Sequence, residues 1–251
     1  MYTDIVNKVD MGHCVDVLYL DFSKAFDLVN HDVLVDMLQC LGVSRQVWLW
    51  VRDFLSARKM FVSLGGECSG KAAVASGVPQ GSVLGPLLFI IYVNAVAEGS
   101  FSNWYSFADD FKLYISFPKG KDSSLNRLAL QNDLVNLNSI AESWNLKLNP
   151  QKCVVIRFGD RHSDVLSRSG YWLGGSELRL VQSHKDLGVT VDCTLKFHGH
   201  VDIIVNKANA FANQLLRATV NRSRDFMLTL FVSHIINQKA LRLGEKCAPL
   251  S

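Results

Sequence analysis

Strands are predicted where short apolar or aromatic runs are bounded by polar or turn-forming residues. Residues 15–20 form such a run and are followed by Asp21, so we expect a buried strand that ends at this aspartate. Residues 60–64 and 71–75 flank a Gly-Gly pair, which predicts a hairpin with a long loop. Further strands are predicted at residues 104–108, 111–115, 153–158, 171–173, 178–181 and 187–191.

Helices are predicted where apolar side chains recur every three or four positions. Residues 31–41 follow this period and are succeeded by Gly42, which can end a helix. Ser44 can cap a second helix that runs to about residue 57. Pro86 is tolerated in the first turn of a helix, so we expect a third helix that runs to about residue 97. Longer helices are predicted at residues 123–144 and 198–218.

The order of these elements predicts an α+β fold, in which helices surround one small sheet and a helical segment follows it. Hydrophobic residues make up 49% of the 251 positions and charged residues 20%, which argues against disorder. The longest apolar run, residues 83–97, is interrupted by Gly, Pro and Asn. It is also shorter than the ~20 residues that span a bilayer. We therefore predict a buried core helix there and no membrane partner.

Charge is distributed unevenly along the chain. Residues 1–144 carry 11 Lys/Arg and 15 Asp/Glu, a net −4, whereas residues 145–251 carry 15 and 8, a net +7. Carboxylates that hold cations, followed by a surface that meets phosphates, would give this pattern, but so would chance clustering of surface charge. The six cysteines form no CxxC pair and no signal peptide precedes them. Both observations favour an intracellular protein of the cytoplasm and nucleus that is not secreted.

Three aspartates are candidates for a metal site. Asp21 ends the first predicted strand, and Asp109 and Asp110 lie between two aromatic-rich strands. If those strands are neighbours, the three carboxylates can bind two Mg²⁺ ions about 4 Å apart, with Mn²⁺ as a substitute. A strand-end aspartate and an Asp-Asp turn are also common without any metal, so both interpretations stay open at this point.

Five segments match, in order, the core motifs of one known family. They are LDFSKAFD at residues 20–27, SGVPQGSVLGPLLF at 76–89, FADD at 107–110, LKLNPQKC at 146–153 and LGV at 187–189. Over residues 15–217 the chain resembles the reverse transcriptases of non-LTR retrotransposons, in particular jockey/CR1-like elements. The resemblance implies a polymerase palm, a small antiparallel sheet packed on helices, followed by a helical thumb-like segment.

The resemblance also implies an activity and its partners. The reaction would be RNA-directed DNA polymerisation, in which two metal ions assist nucleotidyl transfer from a dNTP to a primer 3′-hydroxyl. The partners would be an RNA template, a DNA primer and a dNTP. By the same resemblance Asp21, Asp109 and Asp110 are the catalytic metal ligands, and Lys152 protonates the departing pyrophosphate or steers its charge. A solvated lysine at a strand edge is the alternative for Lys152.

Four residues are implied to contact the nucleotide, namely Phe22, Phe26, Gln80 and Gly81. In the family an aromatic ring at the position of Phe26 leaves no room for a 2′-hydroxyl, so ribonucleotides are rejected. The alternative for Phe26 is a plain core residue. Gln80 would orient the nucleotide near its sugar. Glycines at 77, 81 and 85 would let the backbone pass close to template and nucleotide.

The resemblance finally predicts the domain boundaries. Residues 1–14 would be the remnant of the fingers–palm junction, 15–195 the palm, 196–236 the thumb-like segment and 237–251 a C-terminal tail. Because the family's fingers should precede the first motif, we expect a truncated copy with weak or no activity in isolation. The alternative function is that of an inactive or domesticated remnant that binds nucleic acid or a protein partner.

Overall fold

The computed structural model describes residues 1–120, 123–160, 170–219 and 223–230. Its helices are α1 (Tyr2–Asp10), α2 (Ala25–Leu28), α3 (His31–Cys40), α4 (Arg45–Leu55), α5 (Leu84–Val96), α6 (Ser124–Ser143), α7 (His198–Ala218) and α8 (Arg224–Leu230). Its strands are β1 (His13–Asp21), β2 (Lys59–Met60), β3 (Ser63–Leu64), β4 (Glu67–Cys68), β5 (Ala72–Ala73), β6 (Asn103–Phe107), β7 (Asp110–Pro118), β8 (Val154–Phe158), β9 (Trp172–Leu173), β10 (Ser176–Glu177), β11 (Arg179–Leu180), β12 (Ser183–Asp186) and β13 (Val189–Asp192).

A five-stranded sheet with the order β11-β8-β1-β7-β6 forms the centre of the first compact unit, Met1–His184 with Cys193–Leu195. The central strand β1 pairs antiparallel with β7 on one side and with β8 on the other. At the sheet edges β6 runs antiparallel to β7, and β11 runs parallel to β8. The predicted α+β class is confirmed.

One face of this sheet is covered by helices. Residues at alternate positions, such as Leu18 on β1 and Leu113 on β7, belong to the same buried cluster as Phe89 of α5 and Leu134 of α6. The alternation has a period of two because successive side chains of a strand point to opposite faces. Burial of this apolar layer against α5 and α6 is the main stabilising contribution of the unit.

Helix α1 covers part of the opposite face and was not predicted. Its Ile5 is fully buried, and the Tyr2 and Tyr19 hydroxyls lie 3.1 Å apart. The Tyr114 hydroxyl donates a 2.7 Å hydrogen bond to Asp4 Oδ2, and this bond is the largest cause of the lowered pKa of Asp4. Burial and the same bond raise the pKa of Tyr114. The helix therefore packs on this face through contacts with Tyr19 of β1 and Tyr114 of β7.

A buried ion pair lies on the helix-covered face of the sheet. Arg157 donates to both carboxylate oxygens of Asp16, at 2.7 and 3.1 Å, and the Tyr171 hydroxyl donates to Asp16 at 2.8 Å. Asp16 is 0% and Arg157 6% exposed. Burial alone would lower the pKa of Arg157, but the contact with Asp16 more than offsets it and raises that pKa.

Several predicted boundaries were wrong. The hairpin at residues 60–75 is a nested pair of two-residue ladders, β2–β5 and β3–β4, instead of two long strands. The strand predicted at residues 187–191 begins at Val189, because Leu187 and Gly188 have positive φ and form a turn after β12. Ser44 precedes α4 but makes no side-chain capping bond within the part of the chain described. Asn30 caps α3 by accepting from the N–H groups of Asp32 and Val33.

The second compact unit contains Lys185–Asp192 and the described residues from Lys196 onward. Helix α7 has the bounds that its apolar period predicted, and Asp192 Oδ2 accepts from the N–H of Phe197 at 2.8 Å just before it begins. The predicted tail at residues 237–251 lies outside the described residues. In the four described ranges, every helix is too short or too polar to cross a membrane.

Candidate active site

Two of the predicted metal ligands are direct neighbours across the sheet. Asp21, the last residue of β1, is paired in register with Asp110, the first residue of β7. Asp110 also pairs with Phe107, so Ala108 and Asp109 form the tight turn between β6 and β7. Ala108 adopts a left-handed conformation with φ 53°, which lets this turn close in two residues. Asp109 thus lies at the tip of the hairpin, beside the pair.

The three carboxylates differ in their access to solvent. Asp109 and Asp110 are exposed, whereas Asp21 is half-buried. Asp21 Oδ2 is itself buried and has no hydrogen-bond partner among the described residues. A carboxylate oxygen left in this state is costly unless a cation meets it, so its chemistry fits a metal ligand. Within the described ranges, no three His, Cys, Asp or Glu side chains are close enough together to hold a metal ion.

A turn at residues 149–153 holds Asp21 at three separate atoms. The Asn149 N–H donates to the Asp21 carbonyl at 2.9 Å, and the Asp21 N–H donates to Cys153 Sγ at 3.4 Å. Lys152 Nζ lies 3.1 Å from Asp21 Oδ2, at ion-pair distance although without hydrogen-bond geometry. The predicted catalytic lysine is therefore in contact with a predicted metal ligand.

The turn is stabilised by its own Asn-Pro-Gln-Lys sequence. The Asn149 carbonyl accepts from the N–H groups of Lys152 and Cys153, each at 3.0 Å, and its side chain accepts from the N–H of Gln151. This is an asparagine-centred turn of the kind that Asn favours. Cys153 is fully buried, and burial raises the pKa of its thiol to about 11. Cys153 was missed as a site residue, and the Asn149 turn signal was the feature that could have located it.

The two predicted aromatic contacts have different environments. Phe22 is 3% exposed, and its ring packs edge-on against Phe111 with centroids 6.4 Å apart. Any nucleotide contact predicted for Phe22 would therefore have to come from its main chain. Phe26 is half-buried and stacks on Phe89 with centroids 4.0 Å apart. One side of the Phe26 ring is thus fixed by the core, while part of it stays accessible.

Gln80, in the loop before α5, and Phe26, in the short helix α2, belong to segments that hydrogen-bond to each other. Gln80 Nε2 donates to Asp27 Oδ1 at 3.1 Å, and the Val78 N–H donates to the Phe26 carbonyl at 2.9 Å. The Gly77 N–H donates to the carbonyl of Val29 at 2.8 Å. The two segments that were assigned to nucleotide contacts are therefore brought together, with Gln80 exposed beside the Phe26 turn.

The three glycines of the second motif have different roles. A Cβ on Gly77 would lie 2.8 Å from backbone atoms of Phe26 and Asp27, and one on Gly85 would lie 2.5 Å from the Pro79 carbonyl oxygen. We had expected these glycines to make room for template or nucleotide. At Gly77 and Gly85 it is instead the protein's own backbone that packs closely against the glycine. A Cβ on Gly81 would meet no described atom within 4 Å, so Gly81 borders open space.

Gly77→Ala should destabilise the unit by about 2–4 kcal/mol, because strain at positive φ adds to a clash with fixed backbone. Gly81→Ala is the matched control: it has a similar φ, 83° against 86°, but no clash, and should cost about 1–2 kcal/mol. Urea unfolding of both variants measures the difference. Equal losses of stability would contradict the steric role of Gly77.

Comparison with known proteins shows which family the chain belongs to. Residues 6–191 match the family described as reverse transcriptase (RNA-dependent DNA polymerase). The chain belongs to the reverse transcriptase family. It is 33% identical over 207 residues to the RNA-directed DNA polymerase from mobile element jockey of Drosophila melanogaster, and 29% identical over 229 residues to the probable polymerase from transposon BS of the same species. The resemblance to jockey-type, non-LTR elements is confirmed.

These alignments cover 79% and 87% of this chain but only 22% and 24% of the two relatives, so the chain spans about a quarter of their length. Among solved structures, the truncated apo telomerase of Candida tropicalis superposes with a TM-score of 0.53 at 14% identity, covering 78% of this chain and 37% of the telomerase chain. A second Candida tropicalis telomerase structure, in complex with the TWJ fragment of telomeric RNA, gives 0.52 at 12% identity, covering 98% and 42%. At these identities the likeness concerns the fold, which is the polymerase palm that the motifs predicted.

Proposed function

We propose that this chain contains the catalytic palm of an RNA-directed DNA polymerase that extends a DNA primer on an RNA template. The observation that carries the proposal is the register pair of Asp21 and Asp110, with Asp109 at the adjoining turn. Carboxylates at the ends of neighbouring strands suit divalent cations, which would assist nucleotidyl transfer when bound.

Asp21, Asp109 and Asp110 would hold Mg²⁺, for which Mn²⁺ can substitute. Asp21 Oδ2 supports this assignment, because it is buried, accepts no hydrogen bond among the described residues and lies beside a cationic group, Lys152 Nζ. When bound, the ions would activate the primer 3′-hydroxyl and neutralise charge on the leaving pyrophosphate. The contribution of the chain is to hold Asp21 at the end of β1 beside Asp109 and Asp110 of the β6–β7 hairpin, and Lys152 would protonate the pyrophosphate from beside Asp21.

The nucleotide would contact Phe26 of α2 and the loop that carries Gln80 and Gly81. Phe26 is held against Phe89, so its ring can act as a firm wall under the sugar. Gln80 is exposed and anchored to Asp27, and Gly81 leaves space beside it. The net charge of +7 over residues 145–251 would favour binding of template and primer phosphates.

The decisive experiment is extension of a DNA primer annealed to an RNA template, with dNTPs and Mg²⁺ or Mn²⁺. The chain should be assayed by itself and as a chimera, in which residues 6–191 replace the matching segment of the jockey polymerase. The chimera supplies the remaining parts of a relative, so its failure to extend while the parent enzyme extends would contradict a functional palm. Retained template binding without extension would then indicate the inactive remnant.

Phe26→Val in an active chimera should raise ribonucleotide incorporation relative to deoxynucleotide incorporation by at least about tenfold, because loss of the ring removes a clash with the 2′-hydroxyl. Deoxynucleotide use should fall only modestly. Incorporation rates for the two nucleotide types, measured beside the melting temperature, give the ratio. Phe158→Leu is the control: it alters a fully buried ring of β8, paired with Val15 and outside the Phe26–Phe89 stack, so it should lower stability and leave the ratio unchanged. An unchanged ratio in Phe26→Val, with a large loss of stability, would make Phe26 a core residue only.

A further inference from the structure

Asp21 has a cationic side chain beside it. Lys152 Nζ lies 3.1 Å from Asp21 Oδ2, the oxygen that is buried and has no hydrogen-bond partner among the described residues. The side chain of Lys152 is 63% exposed and that of Asp21 33%. The ammonium group therefore closes this oxygen from the solvent side.

The position of Lys152 is set by the backbone more than by the ion pair. Its N–H donates to the Asn149 carbonyl at 3.0 Å, and the Asn149 N–H in turn donates to the Asp21 carbonyl at 2.9 Å. The next residue, Cys153, is fully buried and accepts from the Asp21 N–H. If the ammonium left Asp21, the turn would still hold Lys152 next to this carboxylate.

We propose that Lys152 is an internal counter-ion that competes with a divalent cation for Asp21. In the metal-free chain the ammonium occupies Asp21 Oδ2, and a divalent cation takes its place there. The released ammonium stays close, where it can meet the phosphates of an incoming triphosphate. This inference rests on the proposed function, and it assigns to Lys152 a regulatory part in metal loading of the same site.

The relative strengths of the two contacts favour exchange. A mostly exposed lysine that pairs with a carboxylate gains little, because water screens the attraction and the flexible side chain must be ordered. A divalent cation carries twice the charge and binds carboxylate oxygens directly, without a long side chain to immobilise. Lys152 should therefore weaken metal binding without preventing it.

Mn²⁺ titration of the 251-residue chain, followed by electron paramagnetic resonance of the free ion, tests the competition without requiring activity. Lys152→Met should bind Mn²⁺ about two- to fivefold more tightly than the unaltered chain, the change expected from losing one exposed ion pair. Lys147→Met is the matched control. Lys147 is an exposed lysine of the same motif, and its main-chain carbonyl, not its side chain, accepts from the Ser23 N–H.

Lys147→Met should change the affinity by less than about 1.5-fold, since it removes the same charge without a contact to Asp21. Lys152→Arg keeps a cation at the carboxylate and should bind Mn²⁺ no more tightly than the unaltered chain. Equal effects of Lys152→Met and Lys147→Met, or weaker binding by Lys152→Met, would overturn the competition while leaving the metal site intact. Undiminished Mn²⁺ binding by Asp21→Asn would instead overturn the metal site of the proposed function, and the competition with it.

Discussion

Asp110→Asn should reduce single-nucleotide extension by the active chimera by about three orders of magnitude or more, and Asp21→Asn should do the same. Each change replaces a charged oxygen ligand by a neutral amide at the register pair. Loss of metal-assisted charge stabilisation is worth several kcal/mol of activation free energy, and each 1.36 kcal/mol is tenfold in rate. Rates measured at saturating dNTP, with Mg²⁺ and with Mn²⁺, test the expectation.

Asp32→Asn provides the comparison for this experiment. Asp32 is an exposed carboxylate in the first turn of α3, so its replacement should leave the extension rate within about twofold. All three variants should keep the melting temperature of the parent within a few degrees, because each carboxylate lies at least partly in solvent. Substantial extension by Asp110→Asn would remove the basis for metal catalysis at the hairpin.

Arg157→Met should lower the free energy of unfolding by about 2–4 kcal/mol, because the buried Asp16 then keeps only the partly exposed Arg127, 3.7 Å from its Oδ2, as a counter-charge. Asp16 is fully buried, and two of its hydrogen bonds come from Arg157. The buried carboxylate keeps its desolvation cost, while its two shortest contacts with a cation are lost. Urea denaturation of the chain, followed by circular dichroism, measures the effect.

Two further variants separate the buried charge from simple loss of packing. Tyr171→Phe removes one hydrogen bond to Asp16 and keeps the charge pair, so it should cost about 1–3 kcal/mol. The double variant Asp16→Leu with Arg157→Met removes both charges together, and should recover much of the stability that Arg157→Met loses. A double variant as unstable as the sum of the single changes would show that the two residues act independently.

The elements that could be predicted from sequence are those with a clear apolar period or run. Residues 15–20 lie in the middle of β1, and α7 has the bounds that its period indicated. Strand β7 extends three residues beyond the predicted 111–115 at its C-terminal end, because its outer residues pair with the start of β1. Pairing across the sheet, which no local pattern reports, therefore sets where strands end.

The features that were missed depend on partners far along the chain. Helix α1 has a single fully buried residue, Ile5, so most of its sequence is polar and its stability comes from contacts with the sheet. Asp16 stands alone in an apolar run, and its partners Arg157 and Tyr171 are 141 and 155 positions away. Neither spacing nor composition connects residues at such separations.

The candidate site was predictable to the extent that its residues sit inside short motifs. Asp21 and Asp110 could be assigned from their strand-end positions, although only the ladder reveals that they are opposite each other. The contact between Gln80 and Asp27, and the three bonds from residues 149–153 to Asp21, join separate motifs. These contacts decide how rigidly the site is held, and they follow from tertiary packing alone.

The unbroken ladder from His13–Pro118 to Asp21–Asp110 has a consequence for how copies of such an element decay. Side chains of β7 point alternately to the two faces of the sheet. Phe111 therefore points into the core, and its neighbour Asp110 points to the other face. Deletion of one codon in β7 would shift the residues on one side of the deletion by one position in the ladder. The side chains of those residues would then point to the opposite face of the sheet. Single-codon deletions in β1 or β7 should therefore inactivate a copy whichever residue they remove, whereas substitutions of exposed residues away from Asp21, Asp109 and Asp110 can accumulate without disturbing the ladder.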